Sequence, residues 1–357
     1  MQQTLTRQEL TAALAARQGL LEPFELTPAA AVARLTPLQG QEPRAPYVAL
    51  AARLRGFEKA AYDAAITGGE IVKTTIMRDT LHVAATSEYP VFAAFSRLAK
   101  MRAFRERYAH LDEERVIAEL NAFLREPRSN DEIRAHMLRH DGIPDDHYRP
   151  ILFARFLVHM VQVPPFGMMW DNRQRARFVV DPRPFVDPGK AVVLAIRRYL
   201  GAFGPASKRD VAGWAGVPQR DFAGAWDVVQ TTSFRDEEGR ELLDLPVQPL
   251  PPASTKLPPR YLGRWDQALL AHADRDRIIP PELLPLKLTH AGAQTLTVDG
   301  RVAASWKLEV AKDRARIVVE PHTDIARSKH AAIRAEGKRM IAVLAPEATA
   351  AEVAGLA

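Results

Sequence analysis

Residues 197–216, RRYLGAFGPASKRDVAGWAG, contain the end of one predicted helix, a turn and the start of the next helix. The residues before Gly204-Pro205 have the apolar spacing of an amphipathic helix, and this glycine-proline pair is a turn signal. Ser207 is followed three residues later by an acid, Asp210. That spacing is the capping-box signature of a helix N-terminus, so the stretch predicts helix, turn, helix.

The capping-box signature occurs at two further places, Thr6 with Glu9 and Ser129 with Glu132. Short β-type runs separated by turn residues follow each helical stretch. The three predicted hairpins pair Ile71–Met77 with Thr80–Ala84, Val161–Pro165 with Arg177–Val180, and Thr231–Phe234 with Leu242–Leu245. Three helices followed by a hairpin is the order of a winged helix, a helix-turn-helix variant. We therefore expect three such units within residues 1–247.

A proline-rich segment, VQPLPPASTKLPP at 247–259, follows these units and has the composition of a stiff, extended linker. Beyond it, short strand-like runs alternate with turn residues, and Asp299-Gly300 is a hairpin signal. These runs are Leu286–Leu288, Thr295–Val298, Val302–Leu308 and Arg316–Glu320. We expect a small β-barrel or curled sheet, with a closing helix at about Ile325–Glu336, a last strand at Met340–Leu344, and a helical or frayed tail after Pro346.

The expected fold class is therefore mostly α with small β: three tandem winged-helix (helix-turn-helix) domains plus a C-terminal β-barrel-like domain. The expected winged-helix domains are 1–108, 109–187 and 188–247. The linker is expected at 248–260, the β-barrel-like domain at 261–345 and the tail at 346–357.

Composition restricts the chemistry. The 357 residues include 49 Lys+Arg and 43 Asp+Glu, and the formal net charge of +6 favours polyanionic partners such as nucleic acid. The absence of cysteine excludes disulfides, thiolate nucleophiles and cysteine-held zinc or iron–sulfur sites. Apolar runs are far shorter than the roughly 18 residues of a spanning helix, so we expect a cytoplasmic protein with no membrane partner.

Most short motifs of catalysis are missing. The sequence has no phosphate-binding loop, dinucleotide fingerprint, HExxH or GxSxG, so ATPase, dehydrogenase and serine hydrolase activities lose their main support. His136 and His140 lie four residues apart and could bind a divalent metal together with nearby acids. We favour the alternative of solvated histidines stabilised by the helix dipole, and we expect no metal and no cofactor.

The pair of glutamines in LTPLQGQEPRAP, residues 35–46, is the main candidate for a site. Gln39 and Gln41 alternate around Gly40, and alternating residues of an extended segment share a face. Both amides are therefore expected to point the same way. Spacing alone is also compatible with two glutamines that only cap a loop.

Six blocks of the sequence, in this order, resemble the AlkZ-like (YcaQ-related) winged-helix DNA glycosylases. They are QGQEPRAPYVALAAR from 39, KTTIMRDTLHVA from 73, VPPFGMMW from 163, RRYLGAFGPASKRDVAGWAG from 197, YLGRWDQALLAHADRDRIIP from 261 and VDGRVAASWKLE from 298. The resemblance extends from about Thr4 to Val343. It implies tandem winged helices that form a concave DNA cradle, a C-terminal β-barrel, and removal of alkylated purines from DNA, with crosslink unhooking in some members.

The resemblance also implies catalytic residues. The family signature is Gln, an aliphatic residue, then Gln or Asp, and it maps onto Gln39, Gly40 and Gln41. Gly40 departs from this pattern and removes a packing anchor beside the amides. An amide can orient a water molecule but carries no charge and takes no proton at neutral pH. Such a site needs a good leaving group, which a purine made cationic by N7 or N3 alkylation provides.

Further candidates for DNA contact or for the lining of the cleft come from the hairpins and their surroundings. Alternation along the MRDTLH hairpin places its candidate side chains on a shared face. Trp170 could stack on a base or pack in the core. Asp266 could support the site or be the buried partner of an arginine, and we favour the structural role. The remaining candidates are Arg78, Thr80 and His82 in the hairpin, with Arg173, Arg175 and Arg177 as a basic cluster.

The leading interpretation is a monofunctional DNA glycosylase that acts as a monomer on double-stranded DNA containing N7-alkylguanine-type lesions. No lysine is marked as a Schiff-base nucleophile, which favours simple hydrolysis. Interstrand crosslinks are a further candidate substrate, and a nucleoid-associated location is expected. The alternative is a non-catalytic winged-helix DNA-binding protein or regulator, and a metal-dependent nuclease that uses His136 and His140 is a third possibility.

Overall fold

The computed structural model describes residues 2–165, 168–170 and 175–356, except for the side chain of Ala99. Helices account for 41% and strands for 18%, so the fold is mixed α/β rather than mostly α. The helices are α1 Arg7–Arg17, α2 Pro28–Leu35, α3 Ala45–Ala51, α4 Lys59–Thr67, α5 Tyr89–Arg107, α6 Glu113–Phe123, α7 Asn130–Met137, α8 Arg149–Leu157, α9 Pro188–Phe203, α10 Lys208–Ala215, α11 Ala223–Trp226, α12 Gln267–Leu270 and α13 Arg327–Leu344. Among these helices, none has the length and apolar character that crossing a bilayer requires.

The strands form open sheets. They are β1 Leu38–Gln39, β2 Ile71–Thr75, β3 Leu81–Ala85, β4 Arg128–Ser129, β5 Met160–Gln162, β6 Arg177–Val180, β7 Thr232–Arg235, β8 Glu241–Asp244, β9 Arg260–Leu262, β10 Thr295–Val298, β11 Arg301–Ala311, β12 Arg314–Pro321 and β13 Ala350–Ala354. Their orders are β1-β3-β2, β4-β6-β5, β7-β8 and β13-β12-β11-β10-β9. The three predicted hairpins are confirmed as the antiparallel pairs β2 with β3, β5 with β6, and β7 with β8.

All three predicted capping boxes are present, at the starts of α1, α7 and α10. At α10, Ser207 Oγ accepts a hydrogen bond from the backbone N–H of Asp210 at 3.2 Å. Asp210 Oδ2 accepts one from the backbone N–H of Ser207 at 2.8 Å. Each box satisfies two backbone donors that the first turn of a helix leaves without partners. The sequence therefore predicts these three helix starts correctly.

The expected C-terminal β-barrel is wrong, because the five strands form an open sheet. Met340–Leu344, expected to be a strand, belongs to α13, where Met340, Ile341 and Leu344 are buried at helical spacing. The tail forms β13, which pairs in parallel with β12 instead of forming a helix or fraying. Leu286–Leu288 is not a strand either, since Leu286 is the last residue of the 3-10 helix Pro281–Leu286 and Lys287 has a φ of 49°.

Apolar side chains of distant elements pack into shared clusters. One cluster joins α5, α9 and α10 through Phe95, Tyr199 and Trp214. A second joins α3 to the C-terminal sheet through Tyr47 and Trp306. The helix α3, which follows the glutamine pair, therefore packs against the C-terminal sheet, and Met77 between β2 and β3 belongs to the cluster with α9 and α10.

A buried ion pair joins Arg53, just after α3, to Asp266, just before α12. Arg53 Nη2 and Nη1 donate to Asp266 Oδ1 and Oδ2 at 2.6 and 2.8 Å, and both side chains are 0% exposed. Arg53 Nη1 also donates to Ala49 O at 3.0 Å, and Asp266 Oδ1 accepts from Ala268 N at 3.0 Å. The expectation that Asp266 is the buried partner of an arginine is confirmed.

Replacing Asp266 with asparagine keeps the shape of the side chain but leaves the Arg53 charge buried without a counter-charge. We expect Asp266→Asn to lower the free energy of unfolding by about 3–5 kcal/mol. The control is Glu25→Gln, because Glu25 pairs with Arg55 while both side chains are largely exposed, at 77% and 65%. Its effect should stay below about 1 kcal/mol. Urea unfolding measures both, and equal small effects would contradict a structural role for the buried pair.

Candidate active site

The candidate site lies where the short strand β1 meets β3. Gln39 pairs with His82 across the antiparallel ladder, and the backbone N–H of Gly40 donates to Leu81 O at 2.8 Å. Thr36, just after α2, has a φ of 69° and turns the chain towards β1. Main-chain pairing with β3 therefore fixes the backbone that carries the two glutamines.

Both glutamine side chains contact the start of β3. Gln39 is 8% exposed, and its Nε2 donates to Thr80 Oγ1 at 3.3 Å while its Oε1 accepts from the backbone N–H of Gln41 at 2.8 Å. Gln41 is exposed, and its Oε1 accepts from the backbone N–H of Leu81 at 3.3 Å. One amide is therefore held in a buried network, and the second lies beside it at the surface.

His82 contributes a neutral imidazole to the same place. It is 0% exposed, and its Nδ1 lies 2.9 Å from Thr80 O, which assigns the proton to Nδ1. Burial, with the charge of Arg78 as a smaller cause, lowers the pKa of His82 to about 3. Its Nε2 has no hydrogen-bond partner in the part of the chain that the structure describes. The group that faces Gln39 across the ladder is therefore uncharged at neutral pH.

The turn of this hairpin is anchored to other helices. Arg78 and Asp79 have φ values of 52° and 59°, a left-handed conformation that is strained for residues other than glycine. The Arg78 guanidinium donates to Trp214 O in α10, and Asp79 Oδ2 accepts from Lys100 Nζ at 2.6 Å. Tyr148 OH donates to Asp79 O at 2.8 Å. Arg78 is thus occupied by α10, although burial lowers its pKa only to about 10 and it stays charged.

Trp170 lies next to the helix that follows the glutamine pair. Its backbone N–H donates to Tyr47 OH at 3.0 Å, and the two rings meet edge to face at 5.5 Å between centroids. Arg44 and Lys59 lie over the indole at 4.7 and 5.0 Å from the ring centroid. The half-buried ring is therefore packed against α3 and two cations.

Arg175 and Arg177, the described arginines of the basic cluster, make ion pairs with the start of α7, and neither contacts the glutamine pair within the described residues. Arg175 Nη1 lies 3.8 Å from Asp131 Oδ2, and Arg177 Nη2 lies 3.3 Å from Glu132 Oε2, both at the start of α7. Arg173 lies outside the described residues. Of the predicted candidates, Gln39, Gln41, Thr80 and His82 lie together where β1 meets β3. Arg78 lies in the turn between β2 and β3, and Trp170 lies beside α3.

Two residues near the candidate site were not predicted from the sequence. Gln267, next to Asp266, donates from Nε2 to Pro37 O and so supports the chain just before β1. Lys73 on β2 is 2% exposed, and burial lowers its pKa to about 8 while the charge of Glu42 opposes this shift. The sequence gives only a weak indication of a buried Lys73, namely a single lysine within the strand-like run IVKTT. No local pattern indicates the contact of Gln267.

Comparison with known proteins identifies the family. The family model described as DNA glycosylase AlkZ-like matches residues 32–343. The chain belongs to the AlkZ-like DNA glycosylase family. The predicted resemblance is confirmed, and the protein is a DNA glycosylase, an enzyme of DNA repair.

A solved structure shows the same fold. Streptomyces sahachiroi DNA glycosylase AlkZ superimposes with a TM-score of 0.77 at 18% sequence identity, covering 98% of this chain and 100% of that chain. At this identity the likeness concerns the fold alone. No protein in a search of curated proteins matches the chain.

Gly40 has room for a Cβ atom, which bears on its departure from the family signature. Its φ lies outside the left-handed region, and an added Cβ would meet Val83 Cγ1 and the β3 backbone at 3.4 Å. We expect Gly40→Ala to stabilise the fold by about 0.4–1 kcal/mol, because alanine restricts the unfolded chain. The control Gly216→Ala should destabilise it, since Gly216 has a φ of 69° and its Cβ would lie 2.9 Å from Arg78 Cγ. Urea midpoints measure both, and destabilisation by Gly40→Ala would contradict the geometry.

The neutral state of His82 predicts a pH dependence of stability. Its folded pKa lies below the ordinary value, so between about pH 6.5 and pH 3 only the unfolded chain binds this proton. The free energy of unfolding therefore falls as the pH falls through this window. We expect the decrease in the free energy of unfolding between pH 7 and pH 5 to be about 1–2 kcal/mol smaller in His82→Asn than in the wild type.

His147→Asn is the control for this comparison, because His147 is exposed. The decrease in its free energy of unfolding between pH 7 and pH 5 should equal that of the wild type. Urea midpoints at the two pH values provide the measurement. An equal loss in His82→Asn and the wild type would show that His82 is not held neutral in the folded protein.

Proposed function

We propose that the protein hydrolyses the N-glycosidic bond of cationic N-alkylated purines of the N7-alkylguanine type, and that Gln39 and Gln41 place the hydrolytic water. The convergence of both amides on the Thr80–Leu81 segment carries this proposal. Gln39 is held by its network, and exposed Gln41 can reach a water molecule at the DNA surface. The amide oxygens would accept hydrogen bonds from that water as it approaches C1′ of the sugar.

The chemistry follows from the lack of charge on these groups. Gln39, Gln41 and Thr80 do not ionise at neutral pH, and His82 is neutral. In hydrolysis, water oxygen bonds to C1′, the bond from C1′ to the base nitrogen breaks, and a water proton passes to solvent. A cationic purine takes the electron pair of that bond and leaves as a neutral base. This arrangement supports selection of lesions by their leaving-group ability, with normal bases left intact.

DNA binding is proposed to use the helix-and-hairpin units as winged helices, with the domain boundaries that the sequence predicts. Arg175 is 93% exposed beside the N-terminus of α7, which suits a phosphate contact that salt would weaken. Arg177 and Trp170 stay candidates for contacts with DNA. Arg78 is better suited to position the hairpin, because α10 already holds its guanidinium.

The exposure of Gln41 also favours an open cleft over a tight pocket for a flipped base. Bulky N7 adducts and N7-linked interstrand crosslinks could reach such a cleft without complete extrusion of the base. We therefore include unhooking of crosslinks in the proposed activity.

Single-turnover release of N7-methylguanine from duplex DNA tests the proposal. We expect the wild type to release the base and Gln39→Ala and Gln41→Ala to be slower by about 10²-fold, as when one polar group that acts on the transition state is removed. Gln230→Ala is the matched control, since Gln230 is exposed and distant in sequence. Its rate should equal that of the wild type.

Two results would contradict the proposal. Salt-sensitive DNA binding without release of any base would favour the non-catalytic winged-helix alternative. Release at an unchanged rate in both glutamine variants would place the active site elsewhere. A second substrate, duplex DNA with an N7-linked crosslink, separates the crosslink activity from the activity on single lesions.

A further inference from the structure

A second polar cluster lies between α6 and α7. Glu119 on α6, His136 on α7 and His140 just after α7 each offer one ligand atom, and these atoms all lie within 4.8 Å of one another. His140 Nε2 lies 3.8 Å from Glu119 Oε2, and the two imidazole centroids are 6.1 Å apart. None of the three contacts the glutamine pair within the described ranges.

From the sequence we favoured solvated histidines, and the burial of this cluster shows that this expectation is wrong. His136 is 7% exposed, and the Nε2 atoms of His136 and His140 are both buried. Neither Nε2 has a hydrogen-bond partner among residues 2–165, 168–170 and 175–356. Buried polar atoms are nearly always hydrogen-bonded, and an unsatisfied one is costly. Two such nitrogens beside one carboxylate therefore call for a common ligand.

The surroundings hold these side chains in place. Phe123 stacks on the His136 ring at 4.3 Å with an interplanar angle of 11°. Arg115 Nε donates to Glu119 Oε1 at 2.8 Å, while the other carboxylate oxygen, Oε2, lies towards His140. The neighbouring Leu120 and Met137 are fully buried in the core that α6 and α7 share. A hydrogen bond to the second oxygen of a ligating carboxylate is typical of the surroundings of metal sites.

We propose that Glu119, His136 and His140 bind a divalent transition metal of the Zn²⁺ type, which joins α6 to the end of α7. Two imidazole nitrogens and one carboxylate oxygen suit zinc, whereas Mg²⁺ and Ca²⁺ require a set of oxygen ligands. In a tetrahedral site the ligand atoms lie about 3.3 Å apart, so small side-chain rotations close the present spacing. Water can take the fourth position. This role is structural and goes beyond the proposed release of bases.

The test uses the full-length protein after dialysis against EDTA. Zn²⁺ affinity is measured by competition with a chromophoric chelator, and thermal unfolding is followed with and without Zn²⁺ or Mg²⁺. We expect one Zn²⁺ per chain and a rise in Tm of about 2 °C or more with Zn²⁺, because a ligand that binds only the folded state stabilises it. Mg²⁺ should cause no rise.

Three variants locate the site. His140→Gln and Glu119→Gln should each weaken Zn²⁺ binding by at least about tenfold, and Arg115→Gln, which removes only the hydrogen bond to the carboxylate, by about tenfold. His147→Gln is the matched control, since His147 is exposed and close in sequence, and its affinity should equal that of the wild type. Either ligand variant suffices if the other fails to fold.

The proposal is overturned if Zn²⁺ leaves Tm unchanged, or if His140→Gln and Glu119→Gln bind Zn²⁺ as the wild type does. Weak binding shared by every variant would mean that scattered surface histidines take up the metal, and would also overturn it. Base release by Glu119→Gln should match the wild type, so failure of the metal site and failure of the proposed glycosylase activity give different results.

Discussion

The buried ion pair between Arg53 and Asp266 is the contact on which the candidate active site depends. It joins the end of α3 to the start of α12 across 213 residues of chain. Removing both charges from water is costly, and the bidentate pairing together with the hydrogen bond that each side chain makes to the backbone offsets this cost. The next residue, Gln267, holds Pro37 just before the glutamine pair. Correct packing of the C-terminal part therefore fixes the position of Gln39.

A second buried ion pair, between Arg17 at the end of α1 and Asp244 in β8, has the same bidentate geometry. Arg17 donates to both carboxylate oxygens of Asp244 at 2.8 and 2.6 Å, and to Leu200 O at 2.9 Å. It thereby joins α1 to β8 and α9. Two charge pairs with defined geometry, together with apolar contacts, therefore connect segments that lie far apart in the chain. Bidentate arginine–carboxylate pairs fix orientation as well as distance.

Local features were predictable from the sequence, and contacts between distant segments were not. The capping box at Ser207 and the hairpin strands depend on residues a few positions apart. By contrast, Met340–Leu344 has a short apolar run that suits a strand or a helix, and only packing in the C-terminal core selects the helix. The open sheet, the strand formed by the tail, and the approach of Glu119 to the two histidines all depend on packing between different secondary-structure elements. The spacing of the glutamine pair made it the main candidate, the family resemblance implied its catalytic role, and that role stays a prediction.

We propose that this uncharged site cleaves only bonds to a base that leaves easily. The decisive experiment compares single-turnover release of N7-methylguanine and of hypoxanthine from the same duplex sequence. Hypoxanthine is a purine of similar size that carries no positive charge. We expect release of N7-methylguanine and no enzyme-dependent release of hypoxanthine. Comparable rates for the two bases would show that the site supplies its own acid or charge, and selection by leaving-group ability would then be wrong.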